Sequence, residues 1–175
     1  MDKLNYGVIG NCCTAALISD KGSIDWLCFP NFDSPSIFPS LLDREKGGYF
    51  CFEVSPDYQI SQSYVPHTNI LSTNFVSEEN EFAVVDFMPC YHLSDASNCY
   101  RPAEIYRYIR RIKGTPRFKI NYEPAPDYAR GKTIFNTTSE SIETYSTSNS
   151  RDRQYLYSSL PLHNILEQKE IVLVK

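Results

Sequence analysis

Between Arg117 and Glu123 the chain reads "RFKINYE", in which Phe118, Ile120 and Tyr122 alternate with Lys119 and Asn121. A period of two sends the apolar set to one face and the polar set to the other, which is what a strand needs when one side of its sheet is wet. "YFCFEV" at 49–54 and "EFAVVDF" at 81–87 follow the same rule. Turn-forming clusters separate these runs: "DKGS" at 20–23, "PNFDSP" at 30–35, "KGG" at 46–48, "SPD" at 55–57, "SEENE" at 77–81, "KGTP" at 113–116 and "EPAPD" at 123–127. Short apolar runs punctuated in this way predict an all-β fold, an antiparallel β-sandwich with at most short helical turns.

Two segments also fit a helix. In "EIYRYIRRI" at 104–112, Ile105, Tyr108, Ile109 and Ile112 satisfy helical spacing, but the flanking turns and strand-rich neighbours favour a strand. In "SPSIFPSLLD" at 34–43, Ser34 is placed to cap a short helix with Pro35 at its first position, and Pro39 limits that helix to a turn or two. The polar, Ser/Thr-rich run "TTSESIETYSTSNS" at 137–150 reads as a hairpin with a loose loop at its end. The strand-like "EIVLVK" ends on the last residue. An edge of that kind invites pairing, so the expectation is one domain over 1–175, incomplete at its C-terminal end, with homo-oligomerisation through this edge as an option.

Composition narrows the class. Hydrophobic residues make up 42% and charged residues 22% of 175, which excludes a disordered or fibrous chain. The 13 tyrosines and 10 phenylalanines suit pleated, half-buried surfaces. No apolar run approaches the length of about 20 residues that a membrane helix requires, and "MDKLNYGVIG" lacks the apolar core of a signal peptide, so a cytoplasmic protein without membrane contact is expected. The six cysteines form no CxxC pair, which suits neither a zinc site nor a compact disulfide framework. Free, mostly buried thiols are expected, with no metal and no cofactor.

The net charge of −4 conceals an asymmetry: residues 101–119 carry seven of the 17 basic residues against one acid, Glu104. Arg107, Arg110, Arg111 and Lys113 are therefore candidates for an anion-binding patch. The competing reading is a solvated strand face whose cationic stems cover apolar surface. Nothing else in this acidic chain supports nucleic-acid binding.

No GxxxxGK[ST], GxGxxG, HExxH or GxSxG pattern is present, and the three histidines lie far apart. The remaining concentration of chemistry is "GSIDWLCFPNFDSPSIF" at 22–38, which sets the sole tryptophan, Trp26, beside Asp25 and ahead of Asp33 and Ser34. Glycoside hydrolysis commonly uses two carboxylates, and Asp25 with Asp33 is the obvious pair. On a regular strand Ile24, Trp26 and Cys28 would share one face and Asp25, Leu27 and Phe29 the other, giving Asp25 apolar neighbours. The alternative is structural: Asp25 accepts hydrogen bonds in a turn network, and Asp33 begins an Asx-type turn before Ser34.

"YGVIGNCCTAALISDKGSIDWLCFPNFDSPSIFPSLLD" at 6–43 is followed in order by "YVPHTNILSTNF", "VVDFMP" and "RRIKGTPRFKINYEPAPDYAR". This series resembles the N-terminal region of prokaryotic glycoside hydrolase family 15 proteins of the glucoamylase and trehalase-like group. The motifs span residues 6–130, and beyond them only the strand character agrees. The resemblance implies a trehalase-like β-sandwich joined to a larger (α/α)6 barrel that holds both catalytic glutamates and is not part of this chain. It further implies that the complete enzyme hydrolyses trehalose or an α-glucan oligosaccharide with inversion, through a general acid and a general base acting on water. On that basis this chain is expected to hold no catalytic residue and to support and orient the barrel. Asp25, Trp26, Asp33 and Ser34 remain candidates for the rim of the substrate site. The rival is a free-standing carbohydrate-binding or protein-interaction module, for which the tyrosine content is the main argument.

Overall fold

The computed structural model describes residues 5–92 and 99–174. Its strands, in chain order, are β1 (Tyr6–Gly10), β2 (Ala15–Ser19), β3 (Ile24–Leu27), β4 (Tyr49–Glu53), β5 (Gln59–Tyr64), β6 (Leu71–Val76), β7 (Glu81–Phe87), β8 (Tyr91–His92), β9 (Cys99–Tyr100), β10 (Tyr106–Lys113), β11 (Arg117–Glu123), β12 (Thr133–Thr137), β13 (Ser141–Ser146), β14 (Asn149–Tyr157) and β15 (Ile171–Val172). One short helix, α1 (Leu162–Leu166), precedes β15. The sheets run in the orders β1-β2-β3-β4-β11-β15, β10-β7-β6-β5, β12-β13-β14 and β8-β9. Neighbouring strands pair antiparallel throughout, as the sequence predicts for this fold class.

The alternation in β11 explains how the sheets are layered. Phe118, Ile120 and Tyr122 share a face. The Phe118 ring stacks on Phe82 of β7 at 5.0 Å, and Phe82 stacks on Phe75 of β6 at 4.5 Å with 3° between planes. Tyr122 reaches the other partner, its hydroxyl 3.3 Å from Thr144 Oγ1 of β13. The four-stranded and three-stranded sheets therefore cover the same face of the six-stranded one. Phe52, Phe75, Phe82, Phe118 and Ile142 form one buried cluster, and Ile9, Ile18, Ile24, Leu27, Ile37 and Phe38 form another. Each such side chain contributes about 1.5–3 kcal/mol by leaving water.

"EIYRYIRRI" supplies β10, fixed as a strand by its ladder against β7 from Tyr106↔Phe87 to Lys113↔Glu81. The helix expected over 34–43 does not form. The Ile37 N–H donates to Leu27 O and the Leu41 N–H to Asp25 O, so the donors a helix would use are bonded to β3. Ser34 closes a local turn instead, its Oγ accepting from the Asn31 N–H. Ile37 and Phe38 are buried there, and burial of this pair against β3 outweighs the weak helical tendency of so short a segment. The Ser/Thr-rich run is β13 with a hairpin turn at either end, and the turn at Thr147 and Ser148 is short and bonded rather than loose.

At "KGG" the reason for glycine is space: a Cβ on Gly48 would lie 2.1 Å from Glu123 O, where the entry to β4 crosses the end of β11. "EIVLVK" provides β15, paired with Arg117 and Phe118 at the edge of the large sheet, while Lys175 lies outside the described residues. All six thiols are free, but burial does not hold for most of them: Cys28 is buried, Cys12 and Cys90 are exposed, and the rest are intermediate. Among the described residues no helix is long and apolar enough to cross a membrane.

Candidate functional site

The stretch around Trp26 is built on an irregularity in β3. Leu17 pairs with Trp26 and Ile18 with Ile24, so Asp25 is the extra residue of a β-bulge in the β2–β3 ladder. This overturns the regular alternation expected for "SIDWLCF": Ile24 and Leu27 are both buried, and Asp25 and Trp26 between them are both half-exposed. A bulge re-aims the side chain that carries it. Here Asp25 turns toward β1, where its carboxylate accepts from the Tyr6 hydroxyl at 2.9 Å and the Ser23 hydroxyl at 2.5 Å. Its carbonyl accepts from the Leu41 N–H at 3.0 Å and the Ser40 hydroxyl at 3.2 Å. Burial, and next the bond to Asp25, push the Tyr6 phenol up to about 12. Asp25 is thus the knot that ties β1, the bulge and the 34–41 segment together.

Trp26 meets a residue that the sequence pattern did not single out. Its ring centroid lies 6.2 Å from that of Tyr128, which sits within a left-handed turn: Asp127, Tyr128 and Ala129 have φ of 59°, 55° and 58°. Non-glycine residues pay about 1–2 kcal/mol each for that conformation. Backbone bonds hold it, from the Tyr128 N–H to Ser36 O, the Ala129 N–H to Ala125 O and the Arg130 N–H to Asp127 O. The Ser148 hydroxyl adds a bond to Asp127 Oδ2 at 2.6 Å. The Arg130 guanidinium lies 5.3 Å from the Tyr128 ring centroid and 3.5 Å from Asp127 Oδ1. Clustered strain of this kind accompanies functional surfaces in many proteins.

The loop that precedes this turn in space is 30–35. Asp33 is exposed and Ser34 half-exposed, and Phe32 presents 61% of its surface while its N–H is held by Cys13 O. The structure thus gives the four sequence candidates different settings. Asp25 is internally bonded, Trp26 packs against Tyr128 with 45° between the ring planes, and Asp33 with Ser34 forms a polar turn tied to the same region through Ser36, whose carbonyl accepts from the Tyr128 N–H. The turn signal in "EPAPD" announced a bend at Tyr128, but not three successive left-handed residues.

The basic segment divides. Arg107 is not available to an external anion: its side chain is 6% exposed, Nε and Nη2 bind the two oxygens of Asp86 at 2.8 and 3.2 Å, and its remaining donors reach Phe50 O and Gly22 O. The guanidinium also lies over the rings of Phe50 and Phe52 at 4.7 and 5.0 Å. Arg110, Arg111 and Lys113 are exposed, with Arg111 donating to Gly114 O and Lys113 to Glu78 O. Among the described residues, no group of three or more His, Cys, Asp or Glu side chains is arranged to hold a metal ion.

The family described as trehalase-like, N-terminal, matches residues 4–158. The chain is 35% identical over 153 residues to a trehalase of Thermoplasma volcanium, covering 80% of this chain and 24% of that protein. It is 50% identical over 84 residues to trehalase 1 of Sulfolobus acidocaldarius, covering 47% and 14%, and 32% identical over 137 residues to a trehalase of Mycolicibacterium smegmatis, covering 72% and 20%. The chain therefore spans a quarter or less of the length of these curated relatives. No solved structure matches it.

Proposed function

The chain belongs to the trehalase-like N-terminal domain family, and from that premise we propose that it braces and orients a catalytic domain for α-glucosidic hydrolysis without supplying the reacting groups. The observation that carries this reading is the state of Asp25. Both of its oxygens are bonded to hydroxyls of the same sandwich, and its backbone anchors two further segments. A general acid or base must instead face the substrate with a proton to give or a free lone pair to take one. Asp33, the partner that the sequence pairs with it, stands on an exposed turn. The reacting pair would then lie in the remainder of a trehalase-length protein, in an (α/α)6 barrel, with trehalose or an α-glucan oligosaccharide as substrate.

Within this reading the Trp26, Tyr128 and Arg130 group and the turn carrying Asp33 and Ser34 face the mouth of that catalytic domain. An indole and a phenol present apolar planes on which a sugar ring stacks, and the neighbouring Arg130 and Asp33 offer a donor and an acceptor for hydroxyls. The test is glucose release by the purified chain from trehalose and from maltotetraose, side by side. No release above a denatured control is expected. Turnover by the chain alone would overturn the assignment and direct mutagenesis to Asp25 and Asp33.

One observation favours a second reading, that of a sugar-binding module. Glu143, Tyr145, Arg153, Tyr155 and Tyr157 share the outer face of the three-stranded sheet, with the Tyr155 and Tyr157 rings stacked at 6.5 Å and Arg153 over Tyr145 at 4.8 Å. Calorimetric titration with maltotetraose separates the readings: saturable binding abolished by Tyr157→Ala supports the module, and its absence leaves the bracing role.

A further inference from the structure

The ladder of β8 and β9 sets Tyr91 opposite Tyr100 and His92 opposite Cys99. Alternation then places positions 90 and 99 on one side of this small hairpin, diagonal to each other, while the Tyr91 and Tyr100 rings stack on the opposite side at 6.3 Å. The Cys90 and Cys99 side chains are neighbours on that side, with the Arg101 guanidinium beside them. Neither sulfur is in a disulfide, and Cys90 is exposed to solvent.

We propose that Cys90 and Cys99 are a redox modification site, forming a reversible intramolecular disulfide that closes the joint between β7 and β10. The oxidant class is a peroxide. The Cys90 thiolate attacks one peroxide oxygen, breaking the O–O bond to give a sulfenic acid and, after protonation, water. Cys99 sulfur then displaces the sulfenic hydroxyl, which leaves as a second water with the Cys99 proton. Two thiols lose two electrons in all, and one peroxide is reduced to two waters.

The division of labour follows from the surroundings. The nearness of Cys99, and next that of Arg101, holds the Cys90 thiol below the ordinary range, while the nearness of Cys90 raises Cys99. Thiolate character and access to solvent together select Cys90 as the attacking sulfur. The other thiols are poorer candidates: burial pushes Cys51 up to about 11 and raises Cys28, and Cys12 and Cys13 are chain neighbours. A diagonal pair sits near the outer limit of disulfide reach, so closure requires local adjustment and the bond is readily reduced again. The joint it closes matters to the fold. Met88 is buried on one side of it and Pro102 on the other, where the Asn11 side chain donates to Pro102 O at 3.0 Å.

The experiment treats the purified chain with hydrogen peroxide, alkylates the remaining thiols without reduction and maps the peptides by mass spectrometry. A Cys90–Cys99 linked peptide is expected, lost on dithiothreitol treatment, together with a rise of a few degrees in the unfolding temperature of the oxidised monomer. Cys90→Ser and Cys99→Ser, each checked for a native circular dichroism spectrum, should both abolish the link, and Cys12→Ser should leave it. Should a variant not fold, the wild-type peptide map alone decides. Sulfinic acid at Cys90 with Cys99 still alkylatable, covalent dimers through Cys90, or a link between any other pair would each overturn the proposal.

Discussion

Arg107 and Asp86 are directly opposed across the β10–β7 ladder and form a forked ion pair, Nε to Oδ1 at 2.8 Å, with 6% and 0% of their side chains exposed. Burial pushes the Asp86 carboxyl upward from its ordinary value, and the charge and hydrogen bonds of Arg107 oppose that shift. Because Arg107 also donates to Phe50 O and Gly22 O, one side chain joins β10 to the 22–24 turn and to β4, across the two layers of the sandwich.

This arrangement makes the two single substitutions worse than the double one. Arg107→Leu strands a buried carboxylate and two carbonyls, and a loss of about 3–5 kcal/mol is expected, as for other broken buried pairs. Arg107→Lys should recover little, since an ammonium cannot reproduce the fork. Combining Arg107→Leu with Asp86→Leu removes both charges and should restore a large part of the loss. Urea unfolding of the parent, Arg107→Leu, Arg107→Lys, Asp86→Leu and the double variant checks this, and additive losses in the double variant would show that the pair is not coupled.

The aromatic stack at the centre is a second point of dependence. Phe82 touches Phe75, Phe118 and Tyr58 at once, so truncation leaves a cavity bounded by three rings. Phe82→Ala should lose about 3–5 kcal/mol. Phe82→Leu, which retains most of the volume, should lose less than half of that in the same unfolding assay.

Two tyrosines should be slow to ionise. Desolvation lifts both Tyr6 and Tyr122 to about 12, with the Asp25 bond adding to the effect at Tyr6. Both phenols are raised above their unfolded value near 10, so their neutral forms stabilise the fold fully below about pH 10 and that contribution is lost as pH rises toward 12. Absorbance of tyrosinate should rise in two stages, and Tyr6→Phe should remove part of the late stage. Glu143 runs the other way. Hydrogen bonds from Asn136, Arg153 and Tyr155 hold it at about 2, so its stabilising effect is present above the ordinary carboxylate range and is lost as pH falls toward 2. Carboxyl chemical shifts against pH would report it directly.

The strands were legible because alternation is a local property, which "RFKINYE" carries within seven residues, and because turn clusters bound each short apolar run such as "EFAVVDF". Three other features are not local. The bulge at Asp25 is invisible in "SIDWLCF", since nothing within that run marks an extra residue, which appears only in the register with β2. Arg107 stood among other cations as a surface charge. Its partner lies 21 residues away, and the only hint was an aspartate inside the apolar run "FAVVDFM". The left-handed turn at 127–129 depends on the carbonyl of Ser36 and on Ser148, which no window around Tyr128 contains. Helix α1 was missed because five residues are too few to display a period.

Asp25 and Asp33 looked equivalent in the sequence and should separate in experiment. Asp25→Ala removes the acceptor for two hydroxyls and loosens the bulge, so the isolated chain should lose about 1–3 kcal/mol of stability. Asp33→Ala removes an exposed carboxylate and should leave the unfolding temperature unchanged. Under the proposed bracing role, joining the chain to a catalytic domain should reverse the order. Asp33→Ala and Trp26→Ala should raise KM for the disaccharide several-fold with kcat nearly constant, because a rim contact adds binding shared by ground and transition states. Asp25→Ala should act on activity only through the fraction folded. If the steady-state constants of Asp33→Ala and Trp26→Ala both match the parent enzyme, the loop borders no substrate and the sandwich acts by packing alone.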